Sequence, residues 1–288
     1  MSGGIPVSAH GLVHIYRLEG NDVVALSGVD LDVAAGEVVG LLGPSGSGKS
    51  TLLNLFAGLL RPSAGRLTVG PHEIARMDER GLARMRAGDV GVVLQGAMRN
   101  LLPYANPVDN VRFAQRGARR LANGTDAVLL LEPHEVLDLV GLADHARTPL
   151  THLSPGQRQR LAVGVGLAAR PGLLLLDEPT SQLDHEGRDE VLAAVIDINH
   201  DLGTTVVAVT HDPDVAERLP RTVTIRDGRV GSEGRRGEEY AVVGRDGSLT
   251  LPPDVLERVP PGSLLRVTIV DESAVRLDRT DTGEGAMA

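Results

Sequence analysis

Gly43-Pro44-Ser45-Gly46-Ser47-Gly48-Lys49-Ser50-Thr51 decides the fold. The stretch has the spacing G-x-x-x-x-G-K-[ST], in which a glycine-rich turn wraps phosphate oxygens with backbone N–H groups. Gly43, Gly46 and Gly48 tolerate positive φ and let the backbone approach an anion closely. The N–H groups from Ser45 to Ser50 form an expected nest, continued by the positive end of the helix that follows. In this geometry Lys49 reaches the outer phosphates and the Ser50 hydroxyl faces a divalent cation. The flanks agree. Val38-Val39-Gly40-Leu41-Leu42 is an apolar run of strand type, and Leu52-Leu53-Asn54-Leu55-Phe56 opens a helix. Lys49 is the only lysine in a chain whose other basic side chains are all arginine. A compact ammonium is retained where a planar guanidinium fork does not substitute.

A second stretch supplies acids. Leu173-Leu174-Leu175-Leu176-Asp177-Glu178 reads as a fully apolar strand that delivers two adjacent carboxylates. Asp177 suits a divalent cation held through water, and Glu178 suits polarising a water for in-line attack on a terminal phosphate. Between and beyond these motifs, strand patterns alternate with helical ones, which predicts a mainly parallel α/β sheet. Strands are expected at 7–17, as an edge strand, then at 23–26, 29–33, 66–69, 90–94 and 205–209. A polar surface helix is expected at 72–86. Residues 103–150 have helical periodicity broken by Pro107, Pro133 and Pro149, and read as an inserted helical subdomain.

Composition bounds the rest. The chain has 288 residues, 42% hydrophobic and only 2% aromatic, so Leu, Val and Ala fill the core. There is no cysteine, which excludes disulfides and thiolate metal sites. A net charge of −9 argues against broad phosphate-backbone binding. The first residues lack the basic start and apolar core of a signal peptide. No apolar run approaches the roughly 20 residues that span a bilayer. A membrane role is therefore expected to run through a partner.

Leu153-Ser154-Pro155-Gly156-Gln157 precedes a helix, and here the chain resembles the signature motif of ABC-type ATPases, with Pro155 where that pattern has glycine. Proline removes one N–H donor but suits a helix's first turn. The other elements of that family stand in order. Tyr16 matches the aromatic that stacks on adenine, and Gln95 the glutamine between core and helical subdomain. Ser181-Gln182-Leu183-Asp184 matches the dimer-contact loop, with Gln182 where a small residue is common. His211 matches the switch histidine.

The resemblance implies a P-loop NTPase core of ABC ATPase type over residues 5–230, with antiparallel edge strands and a helical subdomain at about 97–160. It implies ATP and Mg²⁺ as ligands. Tyr16 and Gly43 to Thr51 (Pro44 and Ser47 included) bind ATP, and Glu178, His211 and Gln95 act in hydrolysis. Ser50, Gln95 and Asp177 serve the metal. Ser154, Pro155, Gly156 and Gln157 act on the ATP of a second chain, and Ser181, Leu183 and Asp184 contact it. The expected partners are a second copy or a related ABC ATPase and an integral membrane permease, on the cytoplasmic face of the plasma (inner) membrane.

The stretches around Tyr16 and Gln95 are similar to the lipoprotein-release and macrolide-export type. The expected function is an ATP-hydrolysing transport subunit of the export or mechanotransmission kind. A signalling ATPase that regulates envelope processes without moving solute is the alternative. A soluble DNA-repair or translation ATPase is opposed by the single cassette, the missing zinc cysteines and the acidic charge.

Residues 231–239 are Gly/Arg/Glu-rich and read as a linker, 240–278 as a small β-rich unit, and 279–288 as a disordered tail. The unit, with Asp246-Gly247 at a hairpin turn, resembles the swapped-hairpin domain of AbrB-type regulators, which form intertwined dimers. From Glu238 onward ten acidic residues face five arginines. That sign favours dimerisation over nucleic-acid binding.

Overall fold

A computed structural model describes residues 3–18, 20–121, 130–235, 238–244, 247–249, 251, 253–260, 262–271 and 274–279. The elements run β1 (Val7–Leu18), β2 (Asn21–Val33), β3 (Val38–Leu42), α1 (Lys49–Phe56), β4 (Ala64–Val69), β5 (His72–Glu73), α2 (Glu79–Gly88) and β6 (Val90–Val93). The helical insertion follows with α3 (Pro107–Ala114), α4 (Arg116–Leu121), α5 (Pro133–Leu139) and α6 (Pro155–Leu167). The chain then returns through β7 (Leu173–Asp177), α7 (His185–Leu202), β8 (Thr205–Val209), α8 (Pro213–Glu217), β9 (Arg221–Arg226), β10 (Arg229–Arg235) and β11 (Glu238–Ala241). It ends with α9 (Pro253–Arg258), β12 (Leu265–Ile269) and β13 (Val275–Arg279).

The main sheet has the order β11-β10-β9-β3-β8-β7-β6. Its strands β6, β7, β8, β3 and β9 are parallel, and β10 and β11 add an antiparallel end. Leu173 to Leu176 are all fully buried because β7 lies inside this sheet and is covered on both faces, so its apolar run does not alternate. A second, antiparallel sheet has the order β2-β1-β4-β5. Its inner face, with Val7, Ala9, Leu12 and Leu67, packs with α1 and the main sheet in one core. The helical insertion packs its own apolar side chains, Val136, Leu161 and Val163 among them, with Leu174 and Leu176 of β7 in a second cluster.

Several expectations change. β1 is not an edge: it pairs with β2 on one side and β4 on the other. Its alternation reflects one buried face, which an interior strand of a one-sided sheet shares with an edge strand. The strands expected at 23–26 and 29–33 are one strand, with a register shift against β1 at Gly28, which takes φ 89°. The helix expected at 72–86 begins only at Glu79, where Asp78 caps it by accepting the Gly81 N–H at 2.7 Å.

The expected linker is also sheet. Residues 231–235 complete β10, and 238–239 open β11. The tie is ionic and long-range. Arg221 on β9, almost buried, donates to Glu233 on β10 at 2.8 and 3.1 Å, to Glu37 at 3.1 Å and to the Asp32 carbonyl at 2.8 Å. Arg235 pairs with Glu233 as well.

Beyond β11, Val243 bridges Leu249 across a turn in which the Gly247 N–H reaches the Gly244 carbonyl at 2.9 Å. Asp246 of the expected hairpin turn lies outside the described residues, as does the expected tail apart from Arg279, which closes β13. The β12–β13 hairpin pairs antiparallel, Val267 facing Leu277. Among the described residues none after Ser232 is buried.

Burial pushes the Glu233 carboxyl up, but the Arg221 and Arg235 hydrogen bonds outweigh it and hold the group below its ordinary range. This network therefore stabilises the fold at neutral pH and loses that contribution as pH falls through the lowered value. Arg221→Ala takes the guanidinium from Glu37 and leaves Glu233 with Arg235 alone, both carboxylates being mostly buried, and should cost about 3–5 kcal/mol. Denaturant unfolding at neutral pH measures it, and the loss should shrink on acidification. An unchanged midpoint contradicts the assignment.

Candidate nucleotide site

The glycine-rich loop is confined by its neighbours. Gly43 has φ 138°, and a Cβ there would stand 2.1 Å from the Ile225 carbonyl of β9. Gly48, which caps α1 with φ 102°, would place one 2.6 Å from the Ala25 carbonyl of β2. A side chain fits at neither position. One N–H of the expected nest is not available to a ligand, because Ser47 donates to the Pro44 carbonyl at 3.2 Å. Lys49 is buried and its Nζ closes the loop, donating to the carbonyls of Gly43 and Pro44 at 2.7 Å each. Burial pushes its pKa down, offset in part by the charges of Glu178 and Asp177.

β7 brings the acids to the loop. Ser50 Oγ lies 3.3 Å from Asp177 Oδ1. Burial pushes the Asp177 carboxyl up against the Ser50 hydrogen bond, with the Glu178 charge adding to the rise. Glu178 sits at φ 48°, and its N–H donates to the Val209 carbonyl of β8 at 3.0 Å. A left-handed conformation in a non-glycine residue is held only where the surroundings demand it. The Glu178 carboxylate is gripped from both sides. Gln95 Nε2 donates to Oε2 at 2.8 Å, and His211 Nδ1 stands 3.0 Å from Oε1. Gln95 thus meets Glu178 rather than the Ser50–Asp177 pair.

Tyr16 and Thr51 meet as well, hydroxyl to hydroxyl at 3.2 Å. His14, which sequence reasoning left without a role, is buried edge-on to the Tyr16 ring at 4.7 Å, with Nδ1 3.0 Å from the Arg61 carbonyl. Asn100 was also missed. It pins the segment around Gln95 by bonding both the N–H and the carbonyl of Leu94, at 2.8 and 2.9 Å. Neither residue carries a motif, since each contact depends on how the chain folds back.

The signature residues do not join this cluster. Among the described residues, no hydrogen bond or ion pair links Ser154 to Gln157 with the glycine-rich loop. They begin α6 instead. The Ser154 hydroxyl accepts the Gln157 N–H at 3.1 Å, and Gln157 Oε1 accepts the Ser154 N–H at 2.8 Å. This reciprocal cap was readable from the S-x-x-Q spacing. With Pro155 lacking an N–H, the donors left for an anion are the Ser154 hydroxyl proton and the Gly156 N–H. Ser181 donates from its N–H to the Glu178 carbonyl at 3.1 Å, Leu183 to the Thr180 carbonyl at 3.4 Å, and Asp184 caps α7.

Arginine at position 49 is bulkier than the space between two carbonyls 2.7 Å from an ammonium allows. Lys49→Arg should therefore weaken nucleotide binding nearly as much as Lys49→Ala in a titration of the purified protein. Binding at wild-type strength refutes the steric argument.

Comparison with known proteins agrees with this geometry. The ABC transporter family matches residues 26–181. The lipoprotein-releasing system ATP-binding protein LolD 1 of Caulobacter vibrioides is 37% identical over 80% of this chain and 96% of its own. The methionine import ATP-binding protein MetN 2 of Pseudomonas aeruginosa is 39% identical over 77% of this chain and 64% of its own. A solved dimeric ATP-binding cassette, in a post-hydrolysis state with ADP and Pi, superposes with a TM-score of 0.68 at 31% identity, over 80% of this chain and 98% of that one. More than half of the sequence falls under the family match and the fold is shared with a cassette of that kind, so this chain belongs to the ABC transporter family as an ATP-binding, ATP-hydrolysing cassette.

Proposed function

We propose that this cassette hydrolyses ATP between two chains and drives a separate integral membrane permease of the release or export kind. The observation that carries the reading is the Glu178 carboxylate, held between Gln95 and His211 within 3.0 Å at the head of the phosphate loop. Glu178 takes a proton from the attacking water, and His211 and Gln95 keep its carboxylate aimed. Lys49 leaves its two carbonyls for the outer phosphates, and Tyr16 receives the adenine. Ser154 and Gly156 donate to the ATP held by the second chain, and Ser181, Leu183 and Asp184 meet that chain. The donors at Ser50 and Asp177 are oxygens, which suits Mg²⁺, and a carboxylate raised by burial gains from a cation beside it. When bound, Mg²⁺ neutralises charge on the phosphates.

The permease would dock beside Gln95. Leu94, Met98, Tyr104 and Phe113 expose apolar surface around the start of the helical insertion, Tyr104 at 85%. No described helix is long and apolar enough to cross a membrane. A partner would therefore bring the cassette to the cytoplasmic face of the inner membrane. The release-type reading rests on the sequence around Tyr16 and Gln95 and on the likeness to a lipoprotein-releasing subunit.

The C-terminal unit is proposed to keep two cassettes together without binding DNA. Val267, Ile269 and Val275 are 65%, 79% and 61% exposed, on a hairpin of two strands. Such a hairpin is marginal alone, and a second copy would supply its missing face.

Three outcomes test this. Glu178→Gln should bind ATP, accumulate as a closed dimer and lose about 10²–10⁴-fold in steady-state hydrolysis; turnover near wild type removes Glu178 from its role. Cassette purified from membranes should bring a permease with it, and Met98→Glu with Tyr104→Ala should release that permease while basal ATPase persists. Retention by the double variant moves the docking face elsewhere. Truncation after Val242, which spares β11, should turn a nucleotide-free dimer into a monomer by sizing; a monomeric full chain, or a salt-sensitive DNA shift, overturns the proposed role of the unit.

A further inference from the structure

We propose that Arg188 is a positioning residue whose ion pair with Asp212 transmits the placement of the dimer-contact turn, residues 181–184, to His211. The inference rests on the two-chain reading above and adds the route inside one chain by which the second chain's arrival reaches the cis site.

The route starts at the first turn of α7. Asp184 caps that helix through the Gly187 N–H at 2.9 Å, and its carbonyl accepts the Arg188 N–H at 3.0 Å. Any shift of Asp184 therefore moves Arg188. From there Arg188 Nη1 reaches Asp212 Oδ2 at 2.6 Å, with both side chains about four-fifths covered, while Asp214 stands further off at 3.9 Å. Arg188 Nε is buried without a hydrogen-bond partner among the described residues, so the guanidinium is held chiefly through the ion pair.

Asp212 stands next to His211 and is fixed on its other side. Its N–H donates to Thr210 Oγ1 at 3.1 Å, and its Oδ1 caps α8 through the Asp214 N–H at 3.0 Å. One carboxylate oxygen thus faces α7 and the other α8, with His211 carried between β8 and that clamp. Arg188 and Asp212 form part of the wall of a cavity of about 310 Å³ that also holds Gln95, Glu178, Ser181 and His211.

The same turn of α7 also leans on the signature helix. A Cβ at Gly156 would stand 3.3 Å from Gly187 Cα, and Arg160 Nη2 lies 3.3 Å from Glu190 Oε2. The helix that the signature residues begin is thus in direct contact with the helix that carries Arg188. A mostly desolvated ion pair suits this task, because it does not slide without leaving a charge uncompensated. Two sites coupled through one rigid element need no contact of their own.

The test is a double-mutant cycle on the full chain, reading kcat, KM for MgATP and nucleotide affinity. Arg188→Gln removes one charge. Asp212→Asn removes the other and keeps the helix cap, since asparagine caps as well. Each should lower kcat about tenfold with KM and affinity within about threefold, the pattern of a step lost after binding. The double variant should be no slower than either single, because both remove one interaction. Unchanged kcat in either single, losses that multiply in the double, or a rise in KM that accounts for the effect overturns the proposal. Melting curves separate a folding loss; if Arg188→Gln unfolds, Asp212→Asn, which leaves α7 untouched, decides the question alone. A wild-type chain without ATPase activity would defeat the functional reading instead, so the two failures are distinguishable.

Discussion

The structure depends on a steric constraint: the phosphate loop has no room for side chains at two positions where two sheets close on it. Gly43 lies against the Ile225 carbonyl of β9, in the main sheet, and Gly48 against the Ala25 carbonyl of β2, in the antiparallel one. Backbone thus packs on backbone, and the turn is held from both flanks before any ligand arrives. Preorganisation of this kind spares a binding site the entropy of ordering its own loop. It also sets where α1 begins, and with it the height of Lys49 and Ser50 relative to the acids on β7.

Charge does the rest. Lys49, buried, and Asp177, half-buried, are each pushed toward neutrality by desolvation, and each is partly rescued by its neighbours. A site that leaves its own charges under-solvated favours a ligand carrying phosphate and cation together. Glu178 is treated differently. Its carboxylate is gripped by Gln95 and His211, which belong to segments far apart in the chain. Movement of either segment changes the aim of the carboxylate. The signature residues cap α6, and among the described residues none of them bonds to the loop of its own chain, which fits a site completed by another subunit.

What was legible in the sequence was what local chemistry dictates. Residues 43–51 declare a phosphate turn because glycine spacing, lysine and strand–helix flanks all lie within one short window, and Leu173 to Leu176 declare a central strand by lacking alternation. What was not legible depends on distant partners. Arg221 in a strand reads as polar surface until Glu37 and Glu233 are seen beside it, which is why 231–239 passed for a linker. β1 passed for an edge strand because alternation reports how many faces are buried and is silent about how many edges are paired. His14, Asn100 and Arg188 act through contacts across 47, 6 and more than 20 positions or through backbone carbonyls, and none has a spacing signature. The Ser154–Gln157 cap was available from its spacing and went unread.

In the two-chain reaction proposed above, each ATP is handled by the loop of one chain and the signature of another. Complementation between two defective chains distinguishes this from a site built within one chain. A Ser154→Arg chain keeps its phosphate loop and loses its signature, and a Lys49→Ala chain does the reverse. Each alone should be at background in an ATPase assay. Co-expressed, they form mixed dimers with one intact composite site, and activity should rise well above the sum of the two separate chains. Co-expressed chains that stay at that sum, or a Ser154→Arg chain that is active by itself, would place both motifs of one site in a single chain.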